Sequence, residues 1–307
     1  MRVAQTIHAL IGETPLLQLT RLDLPKGVEL YAKLEYFNPG GSVKDRLGLA
    51  LIRAAEAAGH LHPGGTIIEP TAGNTGIGLA LAAVGTGYRV IFCVPAKFSQ
   101  EKQELMRALG AEVVNTPTEL GIQGAIHRAQ ELAATTPGAY VPQQFANPAN
   151  PAAHYATTGP EIWQQLEGRV DIFVAGAGSG GTFTGVARFL KEQNPRLKAV
   201  IVEPEGSVLQ GGTPGPHKAE GIGVEYIYPT IDLDLADRIY TVADVDAFAL
   251  VKELARLEGA LVGSSSGAAC WAAIEEARQA PPGTRIVTIF PDSSERYLSK
   301  QIYQGGI

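Results

Sequence analysis

Short apolar runs alternate with longer stretches of helical periodicity along the whole chain. Leu30–Leu34, Thr66–Glu69, Arg89–Val94 and Glu112–Val114 read as strands, and Gly76–Ala83, Ser99–Leu109 and Gly121–Thr135 repeat their apolar residues at helical spacing. A second series opens with a helix near Ala152–Leu166. It continues through strand Ile172–Ala175, helix Gly181–Glu192, strands Ala199–Glu203 and Ile239–Val242, helix Val245–Glu258 and strand Arg285–Ile289. Strands alternating with helices mark parallel sheets covered by helices, so the class is α/β with two open, mostly parallel sheet domains. Two prolines in Gln144–Pro151 (QFANPANP) stop any helix from running through it, which places the domain boundary there. The expected division is a smaller domain, 36–150, and a larger one made of 1–35 with 151–307. Gly206–Gly223 (GSVLQGGTPGPHKAEGIG) is too irregular for an element and reads as a long functional loop.

Composition narrows the function. A chain of 307 residues is long enough for two cores, and a formal charge of −6 offers no basic footprint, so nucleic acid is not an expected partner. Cys93 and Cys270 stand far apart without metal-ligand spacing, which suggests two buried thiols and neither a disulfide framework nor a metal site. No segment approaches the roughly 18 unbroken apolar residues of a membrane span, and the start lacks a signal-peptide run. The expectation is a soluble, cytoplasmic protein. The high count of 36 glycines calls for tight turns and close backbone approach to a ligand.

Four motifs carry chemistry. In Asn38–Leu47 (NPGGSVKDRL), Ser42 precedes Asp45 by three residues in a helix-capping pattern, which puts Lys44 in the first helical turn. A cation is disfavoured there by the partial positive charge of the unpaired N–H groups, and a lysine kept neutral is a nucleophile toward aldehydes. A solvated surface lysine is the plain alternative. Glu69–Leu79 (EPTAGNTGIGL) lies between a strand and a helix, where backbone amides with Thr71, Asn74 and Thr75 suit an anion such as a carboxylate; a capped structural turn is the alternative. Ala175–Gly185 (AGAGSGGTFTG) again joins strand to helix. Its glycines can be read as G-x-G-x-x-G at Gly176, Gly178 and Gly181, but the Gly-Lys-Ser/Thr of a triphosphate site is absent, and four glycines within Gly176–Gly181 suit a monophosphate cup, with a nicotinamide dinucleotide site and a tight structural junction as the alternatives. In Leu261–Ala269 (LVGSSSGAA), Ser265 could meet a ring nitrogen or could simply cap a helix.

Taken together and in this order, PGGSVKDR, EPTAGNTGIGLA, QQFANPANP, AGAGSGGT and GSSSGAA resemble the cysteine synthase and cystathionine β-synthase family, fold type II of the pyridoxal-phosphate enzymes, with a tryptophan synthase β-like architecture. The resemblance runs essentially the whole chain. It implies pyridoxal 5'-phosphate as cofactor, bound as a Schiff base to Lys44, which would also take the substrate's α-proton. It implies Asn74 at the cofactor's phenolic oxygen, the phosphate cup at Gly178, Ser179, Gly180, Gly181 and Thr182, and Ser265 at the pyridine nitrogen. The substrate-carboxylate loop would comprise Thr71, Ala72, Gly73, Asn74 and Thr75 with Gln144; Ala72 stands where many relatives have serine. The implied reaction is β-replacement on O-acetylserine or serine through an α-aminoacrylate, with the smaller domain closing over the site.

The second substrate is open between homocysteine, giving cystathionine, and sulfide, giving cysteine. Glu220, followed by Gly221, stands where the resemblance presents glutamine in cysteine synthases and glutamate in cystathionine β-synthases. A carboxylate there could pair with the ammonium of homocysteine, or could face water. The stretches VAGAGSGGTFTG, LVGSSSGAA and TIFPDSSERYLSK are similar to bacterial O-acetylserine-dependent cystathionine β-synthases. The resemblance also implies a homodimer and a serine acetyltransferase tail as a docking partner.

Overall fold

A parallel strand covered by helices on both faces must be apolar at nearly every position, which is why the central strands of this chain are continuous runs and not alternations. The computed structural model describes residues 3–71 and 73–304. In chain order its elements are β1 (Leu16–Gln18), β2 (Glu29–Leu34), α1 (Lys44–Ala57), β3 (Thr66–Pro70), α2 (Asn74–Ala83), β4 (Arg89–Pro95), α3 (Gln100–Ala108), β5 (Glu112–Thr116), α4 (Gly121–Thr135) and β6 (Ala139–Tyr140). There follow α5 (Ala149–Ala153), a π-helical turn at His154–Thr158, α6 (Gly159–Gln165), β7 (Ile172–Gly176), α7 (Gly181–Gln193), β8 (Lys198–Pro204), β9 (Arg238–Val242), α8 (Asp244–Glu258), α9 (Ser264–Gln279) and β10 (Arg285–Phe290). Among the described residues, no helix is long and apolar enough to cross a membrane.

Two compact units result, Met1–Ile11 with Asn38–Ala149 and Gly12–Phe37 with Asn150–Ile307. The first holds a parallel sheet in the order β5-β4-β3-β6. Because side chains alternate across a strand, Ile67, Val90, Phe92 and Val94 face the core shared with Leu47, Leu51, Ile77 and Met106, while Ile68, Ile91 and Cys93 face Ala125 and Ala129 of α4. The initial residues join this unit, where His8 Nε2 lies 3.0 Å from the carbonyl of Leu81. The expected division groups 1–11 with the larger domain, since a segment with no strand or long helix carries no signal of which sheet it packs on.

The second unit holds a sheet in the order β1-β2-β10-β7-β8-β9, parallel except for β1 against β2. Ile172, Val174, Val200, Val202, Ile286 and Phe290 meet the inner face of α9, including Cys270, and Phe173, Ala175, Ile201, Val287 and Ile289 meet Phe183, Val186 and Leu190 of α7. Each fully buried Val, Leu, Ile or Phe among them stabilises the fold by about 1.5–3 kcal/mol. In both sheets the loops that open helices α2 and α7 leave the carboxyl ends of β3 and β7, the edge at which open α/β sheets bind ligands. The stretch Gly206–Gly223 contains no regular element, as its composition predicts.

Candidate active site

In the first unit, Lys44 opens α1 and is half-buried. Ser42 Oγ accepts from the Lys44 N–H at 3.2 Å, and Asp45 Oδ2 accepts from the Gly40 N–H at 2.6 Å. The reciprocal box expected of Ser42 and Asp45 is replaced by this pair, because Val43 occupies the cap and the Gly40–Gly41 turn brings an earlier N–H within reach. Gly40 is required there: a Cβ would lie 2.5 Å from Asp45 Oδ1. The helix that carries Lys44 crosses α2 at backbone contact. A Cβ on Gly48 would come 2.3 Å from the Gly78 carbonyl, and one on Gly78 would come 2.3 Å from the carbonyl of Lys44 itself.

The turn that opens α2 is the other half of this unit's site. Thr71 and Thr75 are buried, Gly73 and Asn74 are half-buried, and a Cβ on Gly73 would meet nothing within 4 Å, so space opens above it. Thr75 Oγ1 donates to Gln144 Oε1 at 2.7 Å, which joins two members of the expected carboxylate loop that are 69 positions apart and turns the Gln144 amide NH2 into the donor end. Ala72, the remaining member of that loop, lies outside the described residues.

Glu69, to which the sequence reading gave no role, holds this arrangement from behind. Its carboxylate is buried and accepts from the backbone N–H groups of Gln143 (3.1 Å) and Gln144 (3.4 Å). Gln143 sits in the left-handed region, φ 55°, so the turn is strained and needs such an anchor. Burial pushes the Glu69 carboxyl up from 4.5 to about 7, and the two backbone donors offset only part of that.

In the second unit, Gly178–Thr182 wrap the N-terminus of α7, whose first turn contains no acidic side chain. The unpaired N–H groups and partial positive charge of such a terminus fit an anion, and Gly180 provides the left-handed turn, φ 78°. Three buried residues that the sequence reading passed over hold the cup. Asn150 Nδ2 donates to Ser179 Oγ at 3.0 Å, Thr230 Oγ1 donates to the Ser179 carbonyl at 2.5 Å, and His154 Nε2 lies 3.3 Å from Thr182 Oγ1. The other ring nitrogen of His154 meets Thr158 Oγ1 at 2.9 Å across the π-helical turn. A Cβ on Gly181 would lie 1.9 Å from Asn150 Oδ1, so glycine there leaves room for the Asn150 side chain that holds Ser179.

Ser265 is buried in the first turn of α9, and the loop bearing Glu220 and Gly221 lies against it. Ser264 Oγ accepts from the Glu220 N–H at 2.9 Å, and a Cβ on Gly221 would reach within 4.0 Å of Ser265 Oγ. The carbonyl of Gly221 in turn is so near Gly178 that a Cβ there would sit 2.4 Å from it. Cup, serine and Glu220 loop are therefore one packed assembly. The Glu220 carboxylate is paired with Lys300 Nζ. This unit thus sets a helix N-terminus fit for an anion beside a buried neutral hydroxyl, and the other unit holds a half-buried lysine and a turn rich in hydrogen-bonding side chains.

Known proteins match this chain. The family model described as "Pyridoxal-phosphate dependent enzyme" matches residues 7–292. The chain is 59% identical over 307 residues, 100% of both chains, to the O-acetylserine dependent cystathionine beta-synthase of Bacillus subtilis. It is 54% identical over 306 residues to a cysteine synthase of Helicobacter pylori, covering 99% of this chain and 100% of that one. The crystal structure of O-acetylserine dependent cystathionine beta-synthase from Helicobacter pylori superposes with a TM-score of 0.93 at 53% identity, covering 99% of this chain and 100% of that one.

Proposed function

Because the chain belongs to the pyridoxal-phosphate dependent enzyme family, we propose that it replaces the acetoxy group of O-acetylserine by the sulfur of homocysteine, giving cystathionine and acetate. The full-length likeness to an O-acetylserine dependent cystathionine beta-synthase carries this reading. Pyridoxal phosphate, when bound, supplies the electron sink that makes the substrate's α-proton removable. Lys44 would hold the cofactor's aldehyde carbon through its side-chain amine and, with that amine free, would take the substrate's α-proton. The unit of Asn38–Ala149 carries the carboxylate loop, in which Thr71, Ala72, Gly73, Asn74, Thr75 and Gln144 orient the substrate so that this proton faces the lysine; Asn74 is also the partner of the cofactor's phenolic oxygen. In the unit of Asn150–Ile307, Gly178–Thr182 hold the phosphate.

Ser265 has the more selective task. A hydroxyl can accept from or donate to the ring nitrogen, but it cannot keep that nitrogen protonated as a carboxylate would. With that nitrogen unprotonated, less charge would be drawn from the substrate's α-carbon, which would favour loss of the β-substituent. A cytoplasmic location and a homodimer belong to the same proposal; docking of a serine acetyltransferase tail is an alternative role of a different class, which a pull-down with the tail peptide tests.

A second reading, cysteine synthase with sulfide as acceptor, draws on the 54% identity to a cysteine synthase. Steady-state kinetics of the cofactor-loaded protein with O-acetylserine, comparing kcat/KM for homocysteine and sulfide, separates the two. A higher value for homocysteine is expected; a clearly higher one for sulfide replaces the first reading by the second.

A further inference from the structure

The run TIFPDSSERYLSK ends at Lys300, whose amine pairs with the Glu220 carboxylate. Both side chains reach solvent, at 50% and 29% exposure. An exposed pair of this kind contributes little to stability and costs side-chain freedom, yet the backbone on each side of it is tied down. On one side, the Glu220 N–H is held by Ser264, and Gly221 is wedged between Gly178 and Ser265. On the other, the helix Ser294–Lys300 is anchored where the Ser294 N–H donates to the Leu261 carbonyl at 3.2 Å, and Tyr303 donates to Ser294 Oγ at 2.7 Å. Tyr297 donates to Asp292, whose carbonyl accepts from Gly263 at 3.1 Å. A carboxylate and an ammonium are thus presented together, at a defined place, with the carboxylate one residue from Gly221, which lies against Ser265.

A free amino acid carries the complementary pair of charges. If the ion pair opens to admit one, Glu220 receives the α-ammonium and Lys300 the α-carboxylate, so that no charge loses its counter-charge in the exchange. Sulfide has neither group and cannot make the exchange. We propose that Glu220 and Lys300 form a two-pronged clamp for the head group of the acceptor amino acid, with Lys300 as a specificity-determining residue that favours homocysteine over sulfide. This rests on the reading that homocysteine is the acceptor, and it adds a residue and a binding mode to that reading.

The test uses the full-length, cofactor-loaded protein with O-acetylserine and four acceptors: homocysteine, the thiol amine that lacks its carboxylate, the thiol acid that lacks its ammonium, and sulfide. In the unsubstituted protein each one-ended thiol is expected to show a KM about tenfold or more above that of homocysteine, the worth of one charge-assisted contact. Lys300→Met should raise the KM for homocysteine to that of the thiol amine, which has no carboxylate to lose, while kcat falls much less. Glu220→Gln should do the same with respect to the thiol acid, and Lys300→Arg should restore most of the loss. A Lys300→Met protein whose KM for homocysteine stays within about twofold, or whose KM rises equally for all four acceptors, overturns the clamp. Those results leave the acceptor assignment standing. If instead the unsubstituted protein uses sulfide and not homocysteine, the assignment itself falls.

Discussion

At the scale of single residues, the most consequential side chain outside the expected site is Glu69. A carboxylate beneath the substrate loop is held by two backbone N–H groups and is still pushed up to about 7 by burial. Its folded value therefore lies above its unfolded one, so the stability associated with the bound proton is complete below about pH 4.5 and is lost as pH rises through about 7. The shift corresponds to on the order of 3 kcal/mol across that window. Glu69→Gln removes the titration but turns one amide donor toward a backbone donor. We expect the unfolding free energy of the unsubstituted protein to fall more steeply between about pH 5 and pH 8 than that of the variant, by on the order of 3 kcal/mol, as measured by urea denaturation at each pH. Parallel pH profiles for the two proteins would show that Glu69 does not titrate in this range.

At the scale of elements, the crossing of α1 and α2 sets where Lys44 stands. Alanine in place of Gly78 would put a methyl group 2.3 Å from the Lys44 carbonyl oxygen, and neither helix backbone can yield as a flexible side chain would. Gly78→Ala should destabilise the protein by about 3 kcal/mol or more, read as a lowered urea midpoint. Stability within about 0.5 kcal/mol of the unsubstituted protein would show that the two helices part without cost. Most elements were legible in the sequence because each long strand is an apolar run and each long helix repeats its apolar face. The strands missed are short: three residues of β1 and two of β6 hold no measurable period. The helix expected over Ala152–Leu166 is α5, a π-helical turn and α6, and nothing in the local sequence distinguishes an i to i+5 bond from an i to i+4 one. The site shows the same divide. Lys44, Thr75 and Gln144 sit in motifs with glycine or turn chemistry; Glu69 and Asn150 also lie inside quoted motifs and His154 outside them, but their partners Gln143, Ser179 and Thr182 stand far along the chain, so no local pattern names their role.

At the scale of the whole molecule, the chain builds two sheets, each covered on both faces, and each interior holds one of the two cysteines. Cys93 lies in β4 of the first unit and Cys270 in α9 of the second, and both are fully buried. Desolvation raises the Cys93 thiol to about 11 and pushes Cys270 higher still, helped by the nearby Glu253 and Glu258. Neither is a thiolate near neutral pH, so both should resist a disulfide reagent in the native protein and both should react in concentrated urea. Rapid labelling without denaturant would mean that one interior opens readily. Wild-type protein thus comes with a reporter already installed in each half. If labelled peptides are separated after brief exposure at rising urea, the order in which the two thiols appear tells which interior lets solvent in first, with no substitution to disturb either one.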